Sequence, residues 1–98
     1  MSEEREYIFR LYVAGSSPQS TRAITNLKAI CESRLPGRYA LTVVDLYEQK
    51  EGGRADRVVV VPTLIRHSPL PVRRLIGDLS NTERVLEDLD LPAGPPSK

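Results

Sequence analysis

Residues 71–91 have the sequence PVRRLIGDLSNTERVLEDLDL. Its first part, VRRLIG at 72–77, has the length and apolar content of a short strand. Ser80 and Glu83 then stand at the spacing of a capping box that begins a helix. The inward face of this helix is formed by apolar residues at helical spacing, namely Val85, Leu86 and Leu89. The stretch therefore predicts a strand, a turn and a C-terminal helix.

A βαβ unit is predicted upstream of it. Residues 6–14 (EYIFRLYVA) and 39–46 (YALTVVDL) are mostly apolar runs, which indicates buried strands, the second covered on both faces. Between them, residues 18–34 carry apolar side chains along one helical stripe. Two alternative N-terminal caps fit this helix: Ser17 before Pro18, or Ser16 paired with Gln19. A strand, a helix and a strand in this order predict a right-handed parallel crossover.

The middle of the chain gives weaker signals. Residues 47–57 are polar and contain adjacent glycines, so any helix there is short, since an interior glycine costs about 1 kcal/mol relative to alanine. RVVVVPTLIR at 57–66 predicts a third strand, in which Pro62 cannot donate to a ladder and marks an edge, a kink or a cis bond. HSPLP at 67–71 predicts a turn. The predicted order is β-α-β-(α)-β-β-α.

Composition excludes several classes of function. The chain has 98 residues, 40% of them hydrophobic, which fits one domain over 1–91 and a disordered, proline-rich tail at 92–98. A formal charge of +1 argues against nucleic-acid binding. No apolar run approaches the roughly 20 residues that span a bilayer, and the start lacks the order of a secretory signal, so we expect a cytoplasmic protein. His67 alone indicates no metal site, and no cofactor is expected.

Three segments resemble the KaiB family, the small component of the bacterial circadian oscillator. They are LYVAGSSPQS (11–20), VVPTL (60–64) and residues 71–91, and the similarity runs from about residue 7 to 91 without an insertion. The resemblance implies an α/β, thioredoxin-like single domain. It also implies a second fold of the same sequence, with the order βαββααβ, in which the C-terminal half is rearranged and the chain assembles as a homotetramer or dimer.

The chain lacks the redox motif that thioredoxins carry at the start of the first helix. Residues 16–19 are SSPQ where those proteins have Cys-x-x-Cys. A serine hydroxyl does not replace a thiolate near neutral pH, so dithiol exchange there is excluded. The only cysteine, Cys31, falls on the apolar stripe of the helix and is expected to be buried. We therefore expect no enzyme activity.

The resemblance implies that the protein regulates by binding other proteins. The first expected partner is a KaiC-like hexameric ATPase, bound by a monomer in the thioredoxin-like state. A KaiA-like protein or a histidine kinase are further implied partners, in circadian or related timing and stress signalling. The alternative is a stand-alone partner-binding module like the thioredoxin-like sensor domain of a histidine kinase, outside any clock.

The resemblance makes five basic residues candidate contacts to an acidic partner surface, a role that suits arginine: Arg22, Arg57, Arg66, Arg73 and Arg74. The other interpretation is a solvated strand face, which is the usual place of scattered charges. Because Arg73 and Arg74 are adjacent in a predicted strand, they point to opposite faces, and one partner contacts at most one of them.

Prolines and two aspartates bear on the fold state. By resemblance, Pro62 is the cis proline beside the thioredoxin binding groove, and Pro69 and Pro71 fall where KaiB proteins often have three consecutive prolines. The family usually has glycine where Asp88 precedes Leu89 and Asp90. Because aspartate weakens a helix less than glycine does, Asp88 favours helix over strand in this segment. We therefore expect the thioredoxin-like state.

Overall fold

The computed structural model describes residues 6–49, 58 and 61–91. Its secondary structure consists of β1 (Tyr7–Val13), α1 (Pro18–Arg34), β2 (Tyr39–Asp45), β3 (Thr63–Ser68), β4 (Arg73–Ile76) and α2 (Thr82–Asp88). The four strands form one sheet in the order β2-β1-β3-β4. The tail at 92–98 and residues 50–57, which hold most of the weakly predicted helix, lie outside the described residues. Glu48 and Gln49 belong to a turn, in which both amides donate to the Asp45 carbonyl.

Strand β1 lies at the centre of the sheet and organises its topology. It pairs in parallel with β2, from Tyr7 opposite Tyr39 to Val13 opposite Asp45. On its other side it pairs antiparallel with β3, which in turn pairs antiparallel with β4. A parallel βαβ unit followed by an antiparallel hairpin and a C-terminal helix is the thioredoxin-like arrangement predicted from the sequence, and this prediction is confirmed.

Both helices pack on one face of the sheet. The shared core combines strand residues Phe9, Leu11 and Leu64 with helical residues that include Leu27 and Val85, all at most 2% exposed. Burying an aliphatic or aromatic side chain of this size contributes about 1.5–3 kcal/mol. The opposite face has a smaller core of Tyr12, Val44 and Ile65.

The strand boundaries and exposure differ from the prediction in two places. Strand β2 is an edge strand with exposed residues at Ala40, Thr42 and Val43, so it is not covered on both faces. Strand β3 begins after Pro62 instead of within the valines, because Pro62 has no amide hydrogen to donate to a ladder. It then continues through residues 67 and 68, which were predicted as a turn.

Helix α1 begins where one of the two predicted caps places it. The Ser17 hydroxyl oxygen accepts a hydrogen bond from the Ser20 amide at 3.2 Å, and Pro18 occupies the first helical position. At this position proline loses nothing, because its missing amide hydrogen would have no partner within the helix. The alternative cap through Ser16 is wrong.

The predicted capping box at the start of α2 is also wrong. The cap is Asn81, whose side-chain oxygen accepts from the Arg84 amide at 3.1 Å. Ser80 lies one residue too early, and its own amide donates to the Asp78 carboxylate at 3.1 Å. The turn formed by this Asp78–Ser80 hydrogen bond precedes Asn81. The Asn81 side chain, and not that of Ser80, therefore reaches the amides at the start of the helix that have no partner within it.

Helix α2 ends in a closed hydrogen-bonded turn. The Asp90 amide donates to the Glu87 carbonyl at 3.1 Å and the Leu91 amide donates to the Leu86 carbonyl at 2.9 Å. This pair of bonds is the Schellman motif, which needs a left-handed residue after the helix. Asp90 takes that conformation, with φ at 55°, a position that glycine usually occupies.

Replacing Asn81 with alanine is expected to lower the free energy of unfolding by about 1 kcal/mol, because one amide at the helix start loses its acceptor. Thermal or urea unfolding of Asn81→Ala measures this loss. The matched control is Ser80→Ala, which the predicted capping box would make the damaging change. A larger loss in Ser80→Ala than in Asn81→Ala would contradict the observed cap.

Candidate partner-binding surface

The start of α1 is a closed network of serine hydroxyls. The Ser17 hydroxyl donates to Ser20 Oγ at 3.0 Å, and the Ala14 amide points at the same oxygen at 3.4 Å. Ser20 is buried, whereas Ser16 and Ser17 are exposed. The resemblance places the thioredoxin thiols at this position, where these hydroxyls cap and anchor the helix.

Cys31 lies inside the core and is fully buried. Desolvation by burial, together with the negative charge of neighbouring Glu32, raises the pKa of its thiol to about 12. Near neutral pH the side chain is therefore a neutral thiol without access to solvent, which makes it neither a nucleophile nor a metal ligand. Among the described residues, no group of three His, Cys, Asp or Glu side chains is arranged to bind a metal ion.

The Val61–Pro62 peptide bond is cis, as the sequence resemblance predicts. Pro62 is buried, and its carbonyl accepts from the Gly77 amide at 3.0 Å, which fixes the loop before β3 against the end of β4. The peptide bonds before Pro69 and Pro71 are cis as well, so all three candidate prolines share this geometry.

One exposed surface combines apolar and basic side chains. It comprises edge strand β4 and the turn before it, with the exposed residues Leu70, Val72, Arg73, Arg74 and Ile76, and is called here the β4-edge surface. Leu70, Val72 and Ile76 are 76%, 53% and 55% exposed, high values for large apolar side chains. Apolar residues grouped beside arginines are typical of protein-binding surfaces.

The two arginines of this surface lie on opposite faces of the sheet. Arg73 pairs in register with Arg66, on the face that carries the helices, and Arg74 pairs with Ile65, on the other face. The strand thus presents one basic side chain to each side, with Ile76 on the same side as Arg74. A partner that covers the edge itself can reach both.

Of the other candidate residues, Arg22 is exposed and Arg66 is not. Arg22 forms an ion pair with Asp78 at 3.2 Å, with its side chain 58% exposed. Arg66 is 1% exposed, so its predicted surface position is wrong. Its guanidinium is directed inwards because it donates to two backbone carbonyls of the C-terminal half. Arg57 lies outside the described residues.

Asp78 connects the segment before α2 to helix α1. Its side chain pairs with Arg22, and its carbonyl accepts from the Asn26 side-chain amide at 2.8 Å. Hydrogen bonds from Ser80 and Arg22 lower the pKa of the Asp78 carboxyl. Together with Leu75, Leu79 and neighbouring residues, Asp78 also lines an open depression between β4 and α2 of about 210 Å³.

The sequence interpretation missed the apolar half of the β4-edge surface. Leu70 and Val72 flank Pro71 in a turn, and an apolar residue between prolines in a short turn has little chance of reaching a core. The sequence therefore contained a signal for these exposed residues. It contained no signal for the position of Asp78 against α1, because that position depends on a pairing between residues far apart in the chain.

Comparison with known proteins gives consistent results. A family profile described as KaiB domain matches residues 10–91. The chain is 48% identical over 94 residues to the circadian clock oscillator protein KaiB of Synechococcus elongatus, covering 96% of this chain and 92% of that protein. It is 47% identical over 91 residues to the protein of the same description from Prochlorococcus marinus strain MIT 9515, covering 93% and 84%.

Solved structures show the fold at lower identity. The N-terminal domain of Synechococcus elongatus SasA superposes with a TM-score of 0.70 at 21% identity, over 97% of this chain and 93% of that one. Mitochondrial thioredoxin 3 of Saccharomyces cerevisiae superposes with a TM-score of 0.69 at 13% identity, over 90% of this chain and 81% of that one.

Among the described residues, neither helix has the length and apolar content that a membrane-spanning helix needs.

The Cys31 thiol is expected to resist a disulfide reagent in the folded protein at pH 8, because it is neutral at that pH and shielded from solvent. Reaction with DTNB measures this protection, once in buffer and once in about 6 M guanidinium chloride, which unfolds the chain. We expect slow release in buffer and one equivalent released on unfolding. Rapid stoichiometric release from the folded protein would contradict the buried position.

Proposed function

The chain belongs to the KaiB family, and on that premise we propose that it is a non-enzymatic clock regulator that binds a KaiC-like hexameric ATPase in its thioredoxin-like state. The proposed clock role is the one that the names of its relatives print. The proposed setting is the bacterial cytoplasm. A KaiA-like protein and a histidine kinase are further proposed partners.

The observation that carries this proposal is the β4-edge surface. In the thioredoxin-like arrangement strand β4 is an outer strand of the sheet, and its exposed side chains are apolar or basic. Burial of Leu70, Val72 and Ile76 against a partner supplies hydrophobic free energy. Arg73 and Arg74 supply hydrogen-bond forks that pair with carboxylates and exclude partners of the wrong charge.

The absence of redox chemistry supports a binding role for the same fold. At the thioredoxin active-site position this chain has Ser16–Gln19, with hydroxyls that serve as helix caps. The only thiol is buried. A thioredoxin-like domain without a reactive thiol retains the shape of its partner-binding region, which is the property that the proposal uses.

The family's second arrangement is part of the proposal. In it the C-terminal half is rearranged and the chain forms a tetramer or dimer, whereas the thioredoxin-like state is a monomer. The binding-competent state would then be one of two, and the apparent affinity for an ATPase would fall in proportion to the population of the other.

The chain is expected to form a complex with the KaiC-like ATPase of its own genome in the presence of ATP or ADP. Size-exclusion chromatography with light scattering measures complex formation, with the ATPase alone and the chain alone as references. Absence of a complex with either nucleotide, with a folded chain and a hexameric ATPase, would contradict the proposed partner.

Charge reversal on the β4-edge surface is expected to weaken that complex by roughly tenfold or more, since two basic contacts become repulsive toward an acidic surface. The double variant Arg73→Glu, Arg74→Glu is titrated against the ATPase by fluorescence anisotropy or calorimetry. Lys28→Glu on the exposed face of α1 is the matched control. Equal affinity of the double variant and the control would place the binding surface elsewhere.

A second candidate function follows from the likeness to the SasA N-terminal domain, which shares the fold with a TM-score of 0.70. In this alternative the chain is a stand-alone partner-binding module of the histidine-kinase sensor type. Competition separates the two functions. A clock regulator competes with such a sensor domain for the ATPase, whereas the stand-alone module binds a kinase or another partner and leaves the ATPase free.

A further inference from the structure

Helix α2 has an unfavourable distribution of charge for its length. It spans seven residues, and isolated helices shorter than about 12 residues are marginal in water. Its last turn contains no basic residue, and Glu87 and Asp88 stand where the carbonyl end of the helix already carries partial negative charge. Arg84 pairs with Asp88 at 3.2 Å, but this pair is exposed and contributes little.

A positive charge reaches the end of this helix from the sheet. Arg66 on β3 is 1% exposed, and its Nη1 donates to the Leu89 carbonyl at the C-cap of α2. A guanidinium at this end both satisfies a carbonyl that has no partner within the helix and offsets the helix dipole. The residue that completes α2 therefore lies 23 positions earlier in the chain.

The same guanidinium holds a second segment. Its Nη2 donates to the Pro71 carbonyl at 2.7 Å, in the turn that leads into β4. Pro71 lies between Leu70 and Val72, two exposed residues of the β4-edge surface. The planar fork of arginine thus joins an exposed turn to the end of α2 through one rigid group.

We propose that Arg66 is a buried coupling residue, which keeps α2 helical and transmits displacement of the 69–71 turn to the end of that helix. When the Pro71 carbonyl moves, the guanidinium has to move with it or lose this acceptor, and a buried donor that loses its acceptor is costly. A partner that engages the turn would therefore change the order of α2. This inference does not depend on the identity of any partner.

Native-state hydrogen exchange measured by NMR tests the proposal on the free chain. In Arg66→Met, we expect the amides of Leu89 and Leu91, which close the end of α2, to exchange at least tenfold faster than in the unchanged protein. The amides of Phe9 and Leu11 in the central strand should change by less than threefold. The matched control Arg73→Met removes the same charge from the register-paired position of β4, and its α2 amides should exchange as in the unchanged protein.

Two results would overturn the proposal. One is equal acceleration in α2 and β1, which means that Arg66 contributes only to global stability. The other is an α2 exchange rate in Arg66→Met that matches the Arg73→Met control. If Arg66→Met does not fold, Arg66→Lys replaces it, since lysine retains the charge without the planar fork. The exchange rates of the α2 and β1 amides are then compared in the same way. We expect a selective acceleration in α2 that is smaller than in Arg66→Met.

Amide chemical shifts test the coupling separately from stability. Loss of the Arg66 fork should shift the amides of Val72 and Asp90 together, because each belongs to the peptide group whose carbonyl accepts from this guanidinium. Arg73→Met should shift the amide of Val72 and leave the amide of Asp90 unchanged. Shifts confined to one end of the fork in the Arg66 variant would show that the two segments are held independently and would overturn the coupling.

Discussion

Helix α2 is too short to be stable alone, and the rest of the structure supplies what it lacks. Its inward residues Val85 and Leu89 are buried in the core that β1 and α1 build. Asn81 caps its start, and Arg66 from the sheet donates to its last carbonyl. The Asp78 carbonyl and side chain tie the segment before it to α1. The thioredoxin-like state therefore depends on these few tertiary contacts more than on the helical preference of the segment itself.

The surface that the proposed function uses follows from the same arrangement. With α2 packed on one face of the sheet, β4 is left as an outer strand with one unpaired edge among the described residues. Ile76 is exposed, as are Leu70 and Val72 before the strand, whereas Leu75 packs against the main core. Arg73 and Arg74 point to opposite faces. The helix at Thr82–Asp88 thus accompanies the exposed β4 edge that the proposed function uses.

The sequence predicted the elements well where one pattern governed them. The stripe of apolar residues over 18–34 and the alternative cap at Ser17 predicted α1, and the helix expected in the last segment is present over Thr82–Asp88. The resemblance correctly predicted the cis bond before Pro62. Errors arose where two local signals competed. Ser80 has capping-box spacing, but its amide donates to the Asp78 carboxylate in the preceding turn. Asn81 caps the helix instead, because its side-chain oxygen accepts from the Arg84 amide.

The position of Arg66 could not be predicted from the sequence, because an arginine in a strand is normally exposed. It is buried at a point where the carbonyls of Pro71 and Leu89 converge from different parts of the chain. That convergence is a property of the assembled fold. Among the described candidates, Arg22, Arg73 and Arg74 are exposed and stay candidates, and Arg57, outside the described residues, stays one as well.

An NMR assignment of the free protein in solution, with secondary chemical shifts over residues 82–88, measures whether this segment is helical in the resting protein. We expect helical Cα and Cβ shifts through this segment, together with a contact between the Arg66 guanidinium and the end of the helix. Strand-like shifts over the same residues in the resting protein would contradict it, because neither the Arg66 fork nor the exposed β4 edge would then exist as described.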